Sequence, residues 1–511
     1  MSINLCSLND DVLAYIVSFL ATQDAVRLSL SSRRIYPTAR RHSLSTISIH
    51  NPVALSRVAA YMLEDASNRL CFVREFRATE NAFPIESIKP EDGFDSYFWT
   101  HGYQRDHSGA HAIADLLESA PNIRYIHLED VEWMIKTEPR LGRALAALPA
   151  LSHVYLYGVG STSLRFLAQM NSTPCILVLQ HRFEWSFKRK DLFPFAHSHS
   201  LRRLQEIELA SFKHGSTAIP NHGFQLPIVY RLKLTDCHVP SSAIVRMFPN
   251  VRELSLCNVV VTSEDGSEVC WPKLDRADGR LLDFSIWNVT SRVRFLRLSL
   301  LSIDDPIEEN SNGEIYTETI ARIVGVVHNT CPVILDITVH GIKYHHWIKW
   351  ADVIYAAPSL RCLILEMDIK DCSSSLTWIG TFVEAISHSD IISVQLRVAI
   401  CGSETSYTIN QTVEQWTPSY ASHRLKTQYI SIVSTHPMKD ENDSGTTLVA
   451  PAQIWWRISG SGEDRVVRKI SSEIGERLHA YVMSPAFDPS APFNGIFFMS
   501  INAGILITSG V

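Results

Sequence analysis

Six prolines in this chain open one pattern, with apolar residues two, five and seven positions later. "PNIRYIHL" at Pro121 places Ile123, Ile126 and Leu128, and "PALSHVYL" at Pro149 places Leu151, Val154 and Leu156. "PIVYRLKL" at Pro227, "PNVRELSL" at Pro249, "PVILDITV" at Pro332 and "PSLRCLIL" at Pro358 repeat it. In a chain that is 46% hydrophobic, chance puts such a triple after about one proline in ten, roughly two of the 23 here. Three more segments, ending at Leu209, Leu298 and Leu396, keep the spacing without the proline. Neighbouring units start about 25 residues apart, the period of a repeat array. Two wider gaps hold "TSEDGSEVCWPKLDRADGR" and "DDPIEENSNGEIYTE", which read as polar inserted loops.

The spacing has a geometric meaning. Proline cannot continue a helix, and it drives the residue before it towards extended backbone. The apolar residues at offsets five and seven alternate, as a short strand with one buried face requires. Helical patterns such as "GAHAIADLLESA" and "RLGRALAAL" lie upstream of several units. Helix, break and strand in repetition bury their apolar faces only by stacking on neighbours. The expected fold class is therefore α/β: a small amino-terminal helical module followed by a solenoid with short parallel strands inside and helices outside. A doubly wound sheet also alternates helix and apolar strand, and it remains the other α/β possibility. The recurring "LxxLxL" core resembles leucine-rich repeats of an irregular kind over about residues 120 to 400, although the asparagine that usually follows is mostly missing.

Ahead of the repeats stands "LNDDVLAYIVSFLATQDAVRLSLSSRR". A helix over Asn9–Leu20 carries Val12, Leu13, Tyr15, Ile16, Val17, Phe19 and Leu20, an arc of about 200° where one buried face needs a stripe of ~100°. Asn9 is a good N-cap, Asp10 and Asp11 favour the positive end of the helix dipole, and "ATQDAVRLSL" starts a second helix. These residues resemble an F-box: Leu8, Asp11, Leu13, Ile16, Leu20, Asp24, Leu28, Ser32, Arg33 and Ala39 fall in that family's register. Asn9 stands where the family usually has proline, Ser31 where it often has valine and Ile35 where it often has tryptophan; Pro37 falls in the third helix, and the closing leucine-tryptophan pair is missing. The resemblance implies docking on the Skp-type adaptor of a cullin–RING ubiquitin ligase through Leu8, Asn9, Leu13, Ile16, Val17, Leu20 and Leu28. The other reading of the same helices is a cap on the open end of the solenoid.

Target selection then falls to the strand positions between and just after the apolar pair. Tyr155, Tyr157, Lys233, Arg297, Glu366 and Arg397 are the expected target contacts, within a wider set of His127, Glu129, Glu208, His340, Ile364 and Gln395. Mixed aromatic, acidic and basic side chains suit a protein partner better than a phosphate backbone. The expected organisation is a module over 1–45, linking helices and a first irregular repeat over 46–120, the solenoid over 121–400, and a capping region of unassigned role over 401–511.

Composition closes off other classes. A net charge of -6 spread along 511 residues argues against a nucleic-acid or acidic-membrane surface. Ten cysteines without a CxxC pair read as reduced thiols in the cytoplasm or nucleus, and no signal peptide precedes Arg27. The four N-glycosylation patterns, at Asn171, Asn288, Asn410 and Asn442, are then idle. The uncharged stretch Phe493–Val511 reads as two strands joined at "NAG" rather than a membrane span. "HSGAH" lacks a third ligand, "HSHS" and "YHHW" are isolated, and "GSGEDR" lacks the glycine spacing of a phosphate loop. The arginines at 27, 33, 34, 40 and 41 read as a solvated face. No catalytic residue, metal site or cofactor is expected. The two readings carried forward are a non-enzymatic F-box receptor and a free-standing repeat scaffold; an α/β enzyme needs convergent titratable groups that the sequence does not offer.

Overall fold

The computed structural model describes residues 8–85, 105–181, 199–212, 225–261, 270–300, 314–339, 350–369, 386–387, 389–400, 427–435, 452–460, 464–484 and 486–487. The chain divides into two units, Met1–Ser267 and Glu268–Val511. In both, backbone pairing between successive repeats sets the architecture.

In the first unit the strands are β1 (Thr46–Ile49), β2 (Glu75–Ala78), β3 (Tyr125–Leu128), β4 (His153–Val159), β5 (Ile176–His181), β6 (Glu206–Ala210), β7 (Arg231–Thr235) and β9 (Glu253–Cys257). Each runs parallel to the next in chain order. Two-residue strands β8 (His238–Val239) and β10 (Val260–Val261) form a separate parallel pair. One carbonyl just ahead of each strand from β1 to β7 accepts two amides from the next repeat. Arg74 accepts from Arg124 and Tyr125, Arg124 from Ser152 and His153, Ser152 from Cys175 and Ile176, and Cys175 from Gln205 and Glu206. Because parallel strands leave both edges hungry for partners, every repeat is held by the one after it.

The pairing puts Ile126 and Leu128, Val154 and Leu156, Leu177 and Leu179, Ile207 and Leu209, Leu232 and Leu234, and Leu254 and Leu256 in two buried rows. Burying one such side chain contributes about 1.5–3 kcal/mol. Helices Val131–Thr137 and Ser161–Leu167 pack on β4, and Pro52–Glu64 packs on β1. Directly after β6, β7 and β9, Ser211, Asp236 and Asn258 take left-handed backbone, which short polar side chains tolerate. The Ser211 amide donates to the Thr235 carbonyl and the Asp236 amide to the Cys257 carbonyl, both at 2.8 Å, so the turns stack as the strands do.

The second unit repeats the scheme with β11 (Leu274–Arg280), β12 (Val293–Leu300), β13 (Ile334–Val339), β14 (Cys362–Ile369), β15 (Ser393–Ile400) and β16 (Tyr429–Thr435) in parallel order. The paired-amide carbonyl recurs at Val333, Arg361 and Ile392. Then β17 (Ala452–Ser459) and β18 (Val466–Ile470) reverse direction and pair antiparallel. Helix Ser472–Met483 follows. Among the described residues no helix is long and apolar enough to cross a membrane.

Several expectations need correction. Ladder strands run from Thr46 to Ile470, so β1 and β2 lie in the span expected to hold linking helices and a first irregular repeat, and β16, β17 and β18 lie in the expected capping region. "LDRADGR" is no loop: Leu274–Arg280 is β11, whose inward positions are Leu274, Ala277 and Gly279, beside Val293, Leu296 and Leu298. Pairing costs only backbone groups, so two small inward residues suffice where the neighbouring strand is rich in leucine. The "GEIYTE" end of the second presumed loop begins helix Glu314–Thr330. In the Pro332 unit the strand sits two residues earlier, with Leu335 and Ile337 opposite Leu363 and Leu365. The residues 86–104, which include His101, lie outside the described residues. So do His197, His340, Tyr344–Trp347, residues 262–269, 304–313, 436–451 and 461–463, Asn410, Asn442 and Phe493–Val511.

One buried carboxylate ties two repeats together. Glu132, in helix Val131–Thr137, accepts hydrogen bonds from the Thr162 and Ser163 amides and the Ser163 hydroxyl, at the start of helix Ser161–Leu167. A Cβ at residue 160 would lie 2.6 Å from its carboxyl carbon, so glycine is what lets the carboxylate reach that helix end. Burial opposes the charge, but the hydrogen bonds from Ser163 and Thr162 outweigh it and hold the carboxyl below its ordinary value of 4.5. Its stabilisation is present above that ordinary value and is lost as pH falls through the lower folded value. Glu132→Ala is expected to cost about 1.5–3 kcal/mol in urea unfolding at neutral pH, a deficit that shrinks on acidification. An equal deficit at every pH contradicts this role.

Candidate interaction surfaces

The amino-terminal module is three short helices. Helix α1 covers Asp10–Ser18 and is capped by the Asn9 side chain, which accepts from the Val12 amide at 2.9 Å. Helix α2 covers Thr22–Ser31 and α3 covers Tyr36–Ser43. Pro37 sits in the first turn of α3, where its missing N–H costs no helical bond. Leu13 and Val17 from α1 meet Ile35 and Ala39, forming a core internal to the module with Leu8 and Leu28 at its margin. The Arg34 guanidinium donates to the Leu8 carbonyl at 2.9 Å, and the His42 ring bonds the Leu20 carbonyl at 2.9 Å, closing the helices on one another.

The two-sided greasiness of α1 is thereby divided. Leu13 and Val17 are each 1% exposed, so these two expected docking residues are instead the module's own core. Leu8, Ile16, Leu20 and Leu28 are half-buried, and Asn9 is exposed as the cap. What faces outward on α1 is Val12, Tyr15 and Phe19, at 43%, 67% and 71% exposure. Their spacing puts them on one stripe, and the Tyr15 and Phe19 rings meet edge to face at 4.8 Å. On α2, Val26 and Leu30 are exposed as well. The nearby arginines are engaged locally: Arg27 pairs with Asp24 at 3.1 Å, Arg40 lies over Tyr36, and Arg41 lies over Phe72.

The second surface is the strand face of the first unit, opposite the leucine rows. Register aligns Glu75, Tyr125, His153, Ile176, Glu206, Arg231 and Glu253 in one row, and Arg77, His127, Tyr155, Val178, Glu208, Lys233 and Ser255 in the next. One end is aromatic. Arg77 lies over the Tyr125 ring, Tyr125 and Tyr155 are 5.0 Å apart, and His127 and Tyr157 are 5.0 Å apart. Burial first, then the Tyr125 hydroxyl and the carboxylates of Glu206 and Glu208, pushes the Tyr155 phenol up; burial and Glu208 do the same to Tyr157. The other end is a lattice of cross-strand ion pairs, Glu206 with Arg231 at 2.9 Å, Arg231 with Glu253 at 2.7 Å, and Glu208 with Lys233 at 2.8 Å.

Of the expected target contacts, Tyr155, Tyr157 and Lys233 belong to this face, with His127, Glu129 and Glu208. Arg297, Glu366 and Arg397 belong to the second unit, where Arg297 pairs with buried Asp336 at 2.8 Å and Arg397 lies 3.5 Å from Glu366. Ile364 and Gln395, expected at the surface, are buried there. His107 is buried 3.6 Å from Asp130 beside the Phe83 ring, and His111 bonds the Ser108 carbonyl. Among the described residues no group of three or more His, Cys, Asp or Glu side chains is placed to hold a metal ion.

No protein-family profile matches the chain, and no curated protein matches it. Among solved structures 29 chains match. One is an internalin from Listeria monocytogenes, 10% identical, with a TM-score of 0.23, covering 63% of this chain and 83% of its own. The repeat architecture is shown by the ladder register itself.

The division of α1 into inner and outer stripes makes opposite predictions for neighbouring residues. Tyr15→Asp and Phe19→Asp should leave module stability within about 0.5 kcal/mol of wild type in urea unfolding. Leu13→Asp buries an unpaired charge and should unfold the module. Equal losses at all three positions contradict the division.

Proposed function

We propose that the chain is the substrate-recognition subunit of a Skp–cullin–F-box-type ubiquitin ligase: the amino-terminal module docks on the adaptor, and the repeat ladder holds a protein target. It contributes no catalysis and needs no cofactor. The observation that carries this is the module's self-contained core combined with its exposed stripe. A helix whose inner stripe is already satisfied by Ile35 and Ala39 has no internal use for Val12, Tyr15 and Phe19. A terminal cap spends its apolar surface on the first repeat; here that surface faces outward. Covering five such side chains, with Val26 and Leu30, supplies about 1.5–3 kcal/mol each before translational and ordering costs, ample for a specific complex. Left uncovered, such a patch invites aggregation. The mixed aromatic and ion-paired strand face of the first unit supports a protein target, since aromatic anchors within a polar surround are what such interfaces use.

The test is co-expression of the full chain with a Skp-type adaptor. A stoichiometric complex is expected, weakened tenfold or more by Tyr15→Asp or Phe19→Asp with the circular dichroism spectrum unchanged. A wild-type chain that folds and does not bind the adaptor contradicts the proposal and leaves the repeat scaffold as the reading.

Target recognition has its own expected outcome. Tyr155→Ala together with Tyr157→Ala should lower the recovery of cross-linked protein targets at least tenfold while adaptor binding stays at the wild-type level. Unchanged recovery contradicts the assignment of that face.

A further inference from the structure

The strand face that is open in the first unit is closed in the second. Register there aligns Phe295, Ile334, Cys362, Ser393 and Tyr429 in one row, and Arg297, Asp336, Ile364, Gln395 and Ser431 in the next. Apart from Arg297, every one of these is at most 5% exposed. Part of the cover is the chain's own helix Ser472–Met483 with Phe487 after it. Val482 and Phe487 pack with Phe295, Ile334, Cys362 and Ile364 in one apolar cluster, with Tyr481 and Met483 at its edge.

The helix is held as a ligand is held. Its buried residues, Gly475, Leu478 and Val482, form a single stripe, while Glu473, Glu476, Arg477 and Ala480 are exposed. The Arg294 guanidinium donates to the carbonyls of Val482 at 3.4 Å, Met483 at 3.3 Å and Ser484, meeting the helix end whose carbonyls lack intrahelical partners. At the other end Gly475 lies on the Trp455 indole, so close that a Cβ would fall 2.2 Å from the ring. The helix follows β18, the last strand among the described residues, and the pairing of β11 through β18 is made by neighbouring strands without it.

We propose that helix Ser472–Met483, together with Phe487, is an exchangeable resident of the second unit's strand face, which is built to take an amphipathic helix. The fitting partner presents two aliphatic side chains one turn apart, a residue without side chain towards Trp455, and free carbonyls towards Arg294. A target helix of that chemistry competes with the segment for the face. This rests on the reading of the strand face as the recognition surface, but not on adaptor docking.

Hydrogen exchange on the full chain and a fluorescent peptide of residues 471–487 test it together. Amides of 475–483 should exchange at least tenfold faster than those of β13–β15. Gly475→Ala raises intrinsic helix propensity yet must push the helix off Trp455. It should accelerate helix exchange a further tenfold, leave strand exchange unchanged, and let the added peptide bind at least tenfold more tightly than it binds wild type. Helix and strands exchanging together, loss of strand protection in Gly475→Ala, or no peptide binding to that variant each overturn the proposal, because the helix is then part of the core. Absence of adaptor binding alters none of these outcomes.

Discussion

The ladder depends on the carbonyl, ahead of most of the described parallel strands, that accepts two amides from the following repeat. Arg74, Arg124, Ser152 and Cys175 do this in the first unit, and Val333, Arg361 and Ile392 do it in the second. A parallel strand taken alone has a full set of backbone donors and acceptors and no partner; the repeats before and after it supply both. That requirement fixes the register and puts the leucine rows beneath the helices; the other face keeps solvent contact over most of the first unit and is sealed in the second.

The same logic explains how far the sequence could be read. The rows Ile126–Leu128, Val154–Leu156 and Leu232–Leu234 were legible because a strand with one buried face must alternate, and the proline before it marks where helix ends. Strand β11 was not legible, because charges alternate with Leu274 and Ala277 and its partner β12 provides the apolar bulk. Helix α1 was legible as two-sided, yet its two sides were not sorted. Local periodicity does not reveal that Leu13 and Val17 turn inward, because Ile35 and Ala39, which bury them, lie more than fifteen residues on. The signal that separates the stripes is the spacing of Val12, Tyr15 and Phe19, a second helical face beside the first.

The expected target contacts divide for a reason no local pattern carries. Alternation alone puts Tyr155 and Ile364 in equivalent places, on the face away from the leucines. Tyr155 keeps contact with solvent and Ile364 is sealed. The difference lies in a helix that begins at Ser472, far along the chain, which long-range packing brings over one face and not the other. Periodicity describes which face a residue takes; what covers that face is decided by tertiary structure. In each unit the strand face therefore has its own character, aromatic and ion-paired in one, apolar and helix-bearing in the other.

The proposed docking of the outer stripe on another polypeptide has a thermodynamic signature. The direct measurement is isothermal titration calorimetry of the full chain with a purified Skp-type adaptor at several temperatures. A single saturable site with a negative heat-capacity change, the signature of apolar surface leaving water, is the expected result. No saturable binding at any temperature, from a chain whose repeats are folded, contradicts it.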